Sequence, residues 1–401
     1  MRTGPSTKPQ AKLGWQFERR EVIMAKPARY PLLPPSLFVA MVLGAAVLSA
    51  SCPAIARAQD HWEVQHKLLG KPKEDAQSEM MEKAKDVSGI ACETTGGFPR
   101  VCLLVDDESQ GTQVVVVREG KLIAGPFIRL VYDTWDDKLL ELDAEAVAYA
   151  DGAFYVIGSH GRPRHHDDAE KEAKNKAKAT ATRRIFRIRI PPGAIDPDTG
   201  NLNGAPEVTP SAELARLIRG QTKLTAAFDR ELEDNGLTIE GLAVRGGELY
   251  VGMRGPVISN TPADDPEKNG NAAVLIVPLP AVFAGDLADA SVKSVNLGRD
   301  TRHRTRGIRD MTLYGDAFLI LAGPLKDPPD GTPIPKGDYS IYLWDGSSRD
   351  AKPLKDLGGF PEKVKPEALL PLDQSGDTVR ALLFFDGPSE GKPTPIEFDL
   401  Q

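Results

Sequence analysis

The chain has 401 residues, 41% hydrophobic and 27% charged, a balance that suits a soluble globular body with a sizeable core and excludes a disordered or fibrous chain. Its 37 glycines and 33 prolines make up about 17% of the residues against a usual ~12%, turn chemistry that favours many short strands over long helices. Beyond residue 58 the chain carries 42 Lys and Arg against 55 Asp and Glu, a formal charge of −13. So acidic a body repels phosphate backbones, and nucleic acid is excluded as a partner.

Residues 1–58 read as an upstream extension followed by a secretory signal peptide. From Met24 onward, Lys26 and Arg29 precede an apolar run from Leu37 to Leu48, and Ala56-Arg57-Ala58 is the small-x-small pattern of a cleavage site. The run is about twelve residues, whereas crossing ~30 Å of hydrocarbon takes roughly twenty. Cleavage near Ala58 is therefore expected over a retained anchor, giving a periplasmic or secreted protein without a stable membrane span. Ser49-Ala50-Ser51-Cys52 leaves a lipid anchor on Cys52 as the alternative, although Leu48 sits four positions upstream instead of three. Glu18 and Glu21 are foreign to a signal, which points to an internal start at Met24.

Residues 59–401 read as one domain. Trp62 to Leu69 has the composition of a strand, and Glu74 to Lys85 that of a short polar helix. Next come Cys92 and Cys102, an even pair once the leader is removed, flanking the turn-forming Thr94-Thr95-Gly96-Gly97-Phe98-Pro99. In an oxidising compartment a disulfide across a hairpin is expected, adding roughly 2 to 3 kcal/mol. Two buried thiols are the rival reading.

One pattern then returns along the chain: a polar residue, small-apolar-small, a turn, and a strongly apolar strand. Its copies begin at Ser88-Gly89-Ile90-Ala91, Glu145-Ala146-Val147-Ala148, Glu240-Gly241-Leu242-Ala243, Arg309-Asp310-Met311-Thr312 and Glu367-Ala368-Leu369-Leu370. Each reads as a β-hairpin followed by further strands. About four strands per repeat make a propeller blade, so the fold expected is an all-β, five-bladed β-propeller with blade starts near 88, 144, 239, 308 and 366. The last blade is one strand short, and residues 62–69 are expected to fill that gap and close the ring. Six blades remain the alternative, with a degenerate one inside Pro191 to Asn235. That stretch otherwise reads as loop and helix, with helical spacing over Ala212 to Arg219 and Leu224 to Leu232. Ala169 to Ala181 reads as a solvated helix or loop.

In a hairpin the start of the first strand and the end of the second share an edge. Applied to every repeat, this gathers one charged rim at the central channel. It places Glu145 with His160 and Arg162, Glu240 with Arg254, Arg309 with Asp310, and Glu367 with Asp386. Ser88 joins Asp106, Asp107 and Glu108. Glu145, His160, Arg162, Glu240, Arg254, Arg309, Asp310 and Glu367 are the candidate ligand-binding residues. Asp107, Glu108 and Asp386 are candidate ligands of a hard cation such as Ca²⁺. The arginines in the same opening argue instead for an anion held by forked donors. The bland reading of any one member, Glu240 with Arg254 above all, is a structural ion pair.

Other candidates carry less. His160, His165 and His166 beside Asp167 and Asp168 lack regular metal-ligand spacing. Asp196 to Asn201 and the acidic loop Asp264 to Asn271 read as turns. Trp135 and Trp344 read as packing residues. The sequence contains no Cys-x-x-Cys, His-Glu-x-x-His or dinucleotide-binding motif, so a conventional zinc hydrolase lacks support.

Asp86-Val87-Ser88-Gly89-Ile90, Asp106-Asp107-Glu108, Ile239-Glu240-Gly241-Leu242-Ala243, Gly252-Met253-Arg254-Gly255-Pro256 and Gly307-Ile308-Arg309-Asp310-Met311 resemble an uncharacterised family of exported bacterial proteins, a domain of unknown function. The resemblance covers nearly all the chain after Asp86 and implies no established activity. The Glu-Gly-Leu-Ala strands are also similar to those of propellers grouped with esterase-like phytases, a motif that propellers share through architecture. The sequence thus leads to a ligand-binding propeller for a small anionic or metal-containing molecule. Its alternatives are a Ca²⁺-dependent phosphoester or lactone hydrolase and an envelope protein-interaction platform.

Overall fold

The computed structural model describes residues 61–401 apart from 74–79, 164–168, 260, 262, 286–288 and 330. The leader with Cys52, His165, His166, Asp167, Asp168 and residues 74–79 of the polar segment lie outside the described residues.

Five blade sheets follow one another along the chain, each running outward through antiparallel strands from its innermost one, with a single parallel strand added at the outer edge of the first. Those inner strands are Val87–Cys92, Ala144–Ala150, Thr238–Arg245, Arg306–Tyr314 and Lys365–Ser375. Each touches the next, and the last touches the first, so the sheets form a closed five-bladed propeller. Strands buried on both faces read as near-continuous apolar runs; Val101 to Val105 and Phe318 to Leu321 are examples. Five apolar clusters fill the five wedges between neighbouring blades.

The repeat motif has a packing reason. Its small second residue lies where one inner strand meets the next blade. A Cβ on Gly89 would come within 2.9 Å of the Ala146 backbone, and one on Gly241 within 2.8 Å of Ile308. Glycine is therefore favoured at positions 89 and 241, Ala146 and Ala368 are the small residues of two other copies, and the fourth copy departs from the pattern with Asp310.

The ring closes differently from the expectation. Glu63–Gln65 pairs in parallel with Lys121 to Ile123 at the outer edge of the first blade, and the last blade has three strands. The parallel strand satisfies the first blade's exposed edge, and Trp62 is free to pack in the wedge between the first and last blades. The seam is fastened by backbone hydrogen bonds: Gly387 N to Lys85 O, Glu390 N to Ala84 O and Trp62 N to Pro393 O, each 2.7 Å.

Other elements sharpen the sequence reading. Met81–Lys83 is a short strand paired with Leu69–Pro72, where a helix was expected. The stretch 191–235 holds no sixth blade: Glu207–Ser211 is the outer strand of the second blade, followed by helices Glu213–Arg219 and Thr222–Thr225. Ala169–Thr182 is a helix. Cys92 and Cys102 face each other in register and are joined as a disulfide. Trp344 packs with Tyr250 and Phe318 inside the wedge between the third and fourth blades. Among the described residues no helix is long and apolar enough to cross a membrane.

Candidate functional site

Each inner strand carries a β-bulge at the same repeat position. In the first blade Val87 pairs with Asp106 and Gly89 with Val105, leaving Ser88 as the extra residue. The same interruption isolates Glu145, Glu240, Arg309 and Glu367 in the other four blades. On the second strand of the third blade, Arg254 is skipped in the same way. A bulge re-aims the side chain it carries. Here Ser88, Glu145, Glu240 and Glu367 turn into one cavity of about 400 Å³, joined by Arg254 and Asp107.

One side of this cavity is a neutralised ionic network. Arg254 donates from Nη1 to Glu240 Oε1 at 3.1 Å, from Nη2 to Asp327 Oδ1 at 2.6 Å, and from Nε to the Leu325 carbonyl at 2.9 Å. Arg309, wholly buried, donates from Nε to Glu367 Oε2 at 3.0 Å and lies 3.2 Å from Glu240 Oε2. Its Nη2 makes a second contact with Glu367. Lys365 pairs with Asp386 and, at 3.4 Å, with Asp327. Burial opposes the charge on Arg309, yet Glu240 and Glu367 outweigh it and hold the guanidinium well above its usual range. Burial likewise disfavours ionised Asp327, but Arg254, Arg309 and Lys365 together hold that carboxyl well below the usual carboxylate range. The network consumes its own cations.

The other side is acidic. Asp107, Asp143 and Glu145 each bring one carboxylate oxygen to within 4.8 Å of the other two. Asp143 has a left-handed backbone at φ 55°. Its carbonyl accepts from Ser159 N at 2.8 Å, and its Oδ2 accepts from the Ser159 hydroxyl. Burial raises all three acids, with mutual repulsion adding for Asp107 and Glu145: both sit well above their ordinary values, and Asp143 is pushed up to about 6. Asp86 sits nearby, raised to about 7 by burial and by its contact with Asp386.

Of the residues expected at the rim, Asp107, Glu145, Arg162, Glu240, Arg254, Glu367 and Asp386 line the cavity. Arg309 reaches it through Glu240, Glu367 and Asp327. Three others belong elsewhere. His160 is fully buried, with Nδ1 3.0 Å from the Gly158 carbonyl, and burial lowers it to about 4, so it is a neutral residue enclosed in packed protein. Asp310 is buried and accepts from the backbone N–H groups of Met311 and Leu369, both at 2.7 Å, tying the fourth blade to the fifth. Glu108 lies in a separate depression beside Lys71, at 3.4 Å, so it leaves the cation set. The strand-end rule placed these three by edge alone, without knowing which side of the strand each faces.

Asp143, Asp327 and Lys365 were missed. Two of them had a signal: Asp86, Asp143, Thr238, Gly307 and Lys365 each stand two residues before a bulge, the same side of a strand. Asp327 follows the end of a strand in a loop without repeat character.

The family described as "Protein of unknown function (DUF3616)" matches residues 118–394. No curated protein matches the sequence. Among solved structures, the inulosucrase from Halalkalicoccus jeotgali is 13% identical with a TM-score of 0.42, covering 86% of this chain and 90% of its own. The Bacillus subtilis arabinanase Arb43A is 11% identical with a TM-score of 0.33, covering 80% and 95%. An exo-1,5-alpha-L-arabinanase from a bovine ruminal metagenomic library is 9% identical with a TM-score of 0.35, covering 79% and 94%. At such values no residue's role is carried over.

Proposed function

The chain belongs to the DUF3616 family of proteins of unknown function, so its chemistry has to be read from its own residues, and we propose that it is an exported propeller that binds a small anionic or metal-containing ligand in the central cavity. The observation that carries this reading is convergence: side chains from four repeat positions, aimed by bulges, meet at one cavity large enough for a small molecule. Structural ion pairs alone would explain Arg254 and Arg309, but not the acidic wall opposite them. Because Arg254, Arg309 and Lys365 are already paired with carboxylates, the ionic network itself offers a bare anion little free positive charge. That supports the metal-containing form of the ligand over the simple anion. Export is supported by the leader and agrees with the Cys92–Cys102 disulfide.

Thermal unfolding of chelator-stripped protein tests the proposal. Ca²⁺, phosphate esters and sugar acids are added singly and in pairs, and binding to the native state raises the melting temperature. A rise with Ca²⁺, or with Ca²⁺ and one of the acids together, is the expected result. A melting temperature unmoved by every addition overturns the reading.

A further inference from the structure

We propose that Asp107, Asp143 and Glu145 form a seat for one hard divalent cation of the Ca²⁺ class, on the wall where the first and second blades meet. The inference rests on the ligand-binding reading above and goes further by fixing what binds and where. Three carboxylate oxygens from two blades lie within 4.8 Å of one another and open onto the same cavity. Acidic clusters of this size also occur without an ion, so proximity alone decides nothing.

An independent observation points to a ligand. Asp107 Oδ1 is removed from solvent and has no hydrogen-bond partner. Asp106 Oδ1 and Asp338 Oδ2 are likewise without a protein donor, but of these oxygens only that of Asp107 belongs to a residue lining the cavity beside two further unpaired carboxylates, and a buried polar atom of this kind calls for a partner. Among the described residues no Lys, Arg or His pairs with Asp107, Asp143 or Glu145, whereas Glu240, Asp327, Glu367 and Asp386 in the same cavity are all paired. Lys178, the basic side chain on the adjoining helix, is engaged by Glu141 at 2.7 Å. The ring explains the asymmetry. Arg309 is the only cation at the five bulge positions, and it serves Glu240 and Glu367 on the blades flanking its own. Glu145 is two blades away from it. The bulge position beside Glu145 on the first blade is Ser88, short enough to leave room for a guest and for Asp107.

The donors suit a hard cation. Three carboxylates offer between three and six oxygens, and Ca²⁺ takes six to eight. The remaining positions would fall to water or to carboxylate or phosphate oxygens of the ligand. A cavity of net negative charge could in this way accept an anionic molecule, through the cation.

Calorimetric titration of chelator-stripped protein with Ca²⁺ tests the seat. One site per chain is expected, with Glu145→Gln and Asp143→Asn each weakening binding at least tenfold. Asn tolerates the left-handed backbone of position 143, and circular dichroism verifies that both variants fold. Glu108→Gln, outside the cavity, binds as the unaltered protein does. Absence of Ca²⁺ binding to the folded protein overturns the inference, as does wild-type affinity in both variants. If sugar acids or phosphate esters raise the melting temperature in chelator while Ca²⁺ does not bind, the seat falls and the ligand-binding reading stands. If neither binds, both fall.

Discussion

Glu145 and Glu240 occupy the same bulge on adjacent inner strands, but only Glu240 faces guanidinium groups. Arg254 lies 3.1 Å and Arg309 3.2 Å from its carboxylate, whereas Glu145 faces Asp143 and Asp107. Two residues equivalent by fold thus have opposite electrostatic surroundings, and the same substitution should have opposite effects. Glu240→Gln leaves buried guanidinium charge undercompensated and should cost about 3 kcal/mol. Glu145→Gln relieves like-charge repulsion and should stabilise the cation-free protein by on the order of 1 kcal/mol. Urea unfolding in chelator checks both. Destabilisation by the two variants alike would mean that Glu145 has a structural partner.

Arg309 tests whether fork geometry matters in the network. Its Nε and Nη2 both engage Glu367 while Nε also approaches Glu240, and its guanidinium stands 5.7 Å from the centre of the Tyr339 ring. Lysine keeps the charge but has neither the fork nor the planar face. Arg309→Lys should therefore lose about 2 kcal/mol, and Arg309→Met about 3 to 5 kcal/mol by leaving buried Glu367 without its ion-pair partner and Glu240 with Arg254 alone. Equal unfolding midpoints for wild type and Arg309→Met would remove the network from any account of stability.

Much of this was legible in the sequence, and for a reason that the bulges make plain. In four of the five repeats a small residue stands beside the polar one where inner strands pack together, with Asp310 the exception, so the motif marked both the blade count and the positions facing the channel. Ser88, Glu145, Glu240 and Glu367 were found that way. The strand-end rule did less well because it fixes an edge and not a face: it gathered His160 and Asp310, which point into packed protein, along with Arg254 and Asp386, which do not. The Trp62 segment was sent to the wrong blade because composition identifies a strand but not its partner; parallel pairing at Lys121 to Ile123 is a long-range contact with no local signal. The sequence could not apportion charges either. Which carboxylates are neutralised depends on Asp327, carried by a loop outside the repeat.

Stability should rise as the solution is made mildly acidic. Asp86 is pushed up to about 7 by burial and its neighbour Asp386, and Asp310 to about 7 by burial. A carboxyl whose folded pKa lies above its unfolded value binds more protons in the native state, so its cost is felt in full above the folded pKa and is relieved as the pH falls toward the unfolded value. Asp327, held low by its three cations, has the opposite sign, and its contribution is lost only below the ordinary carboxylate range. In chelator the urea midpoint should therefore climb between about pH 8 and about pH 5 and drop again in stronger acid. A midpoint that falls steadily from neutral pH would contradict the burial of these acids.

Asp310 separates fastening from binding. It stands next to Arg309 on the bulged strand, yet both its oxygens are used, one by Met311 N and the other by Leu369 N on the inner strand of the fifth blade. Asp310→Ala would leave two buried backbone donors without acceptors, at a cost of about 2 to 4 kcal/mol. Asp310→Asn should be nearly as harmful, because its amide nitrogen would be turned against one of those N–H groups. Neither change touches the cavity wall. Both variants should therefore unfold at lower urea while keeping wild-type Ca²⁺ affinity under conditions where they are folded. Loss of Ca²⁺ binding with stability intact would restore Asp310 to the ligand set and would require the inner strand to present its other face to the channel.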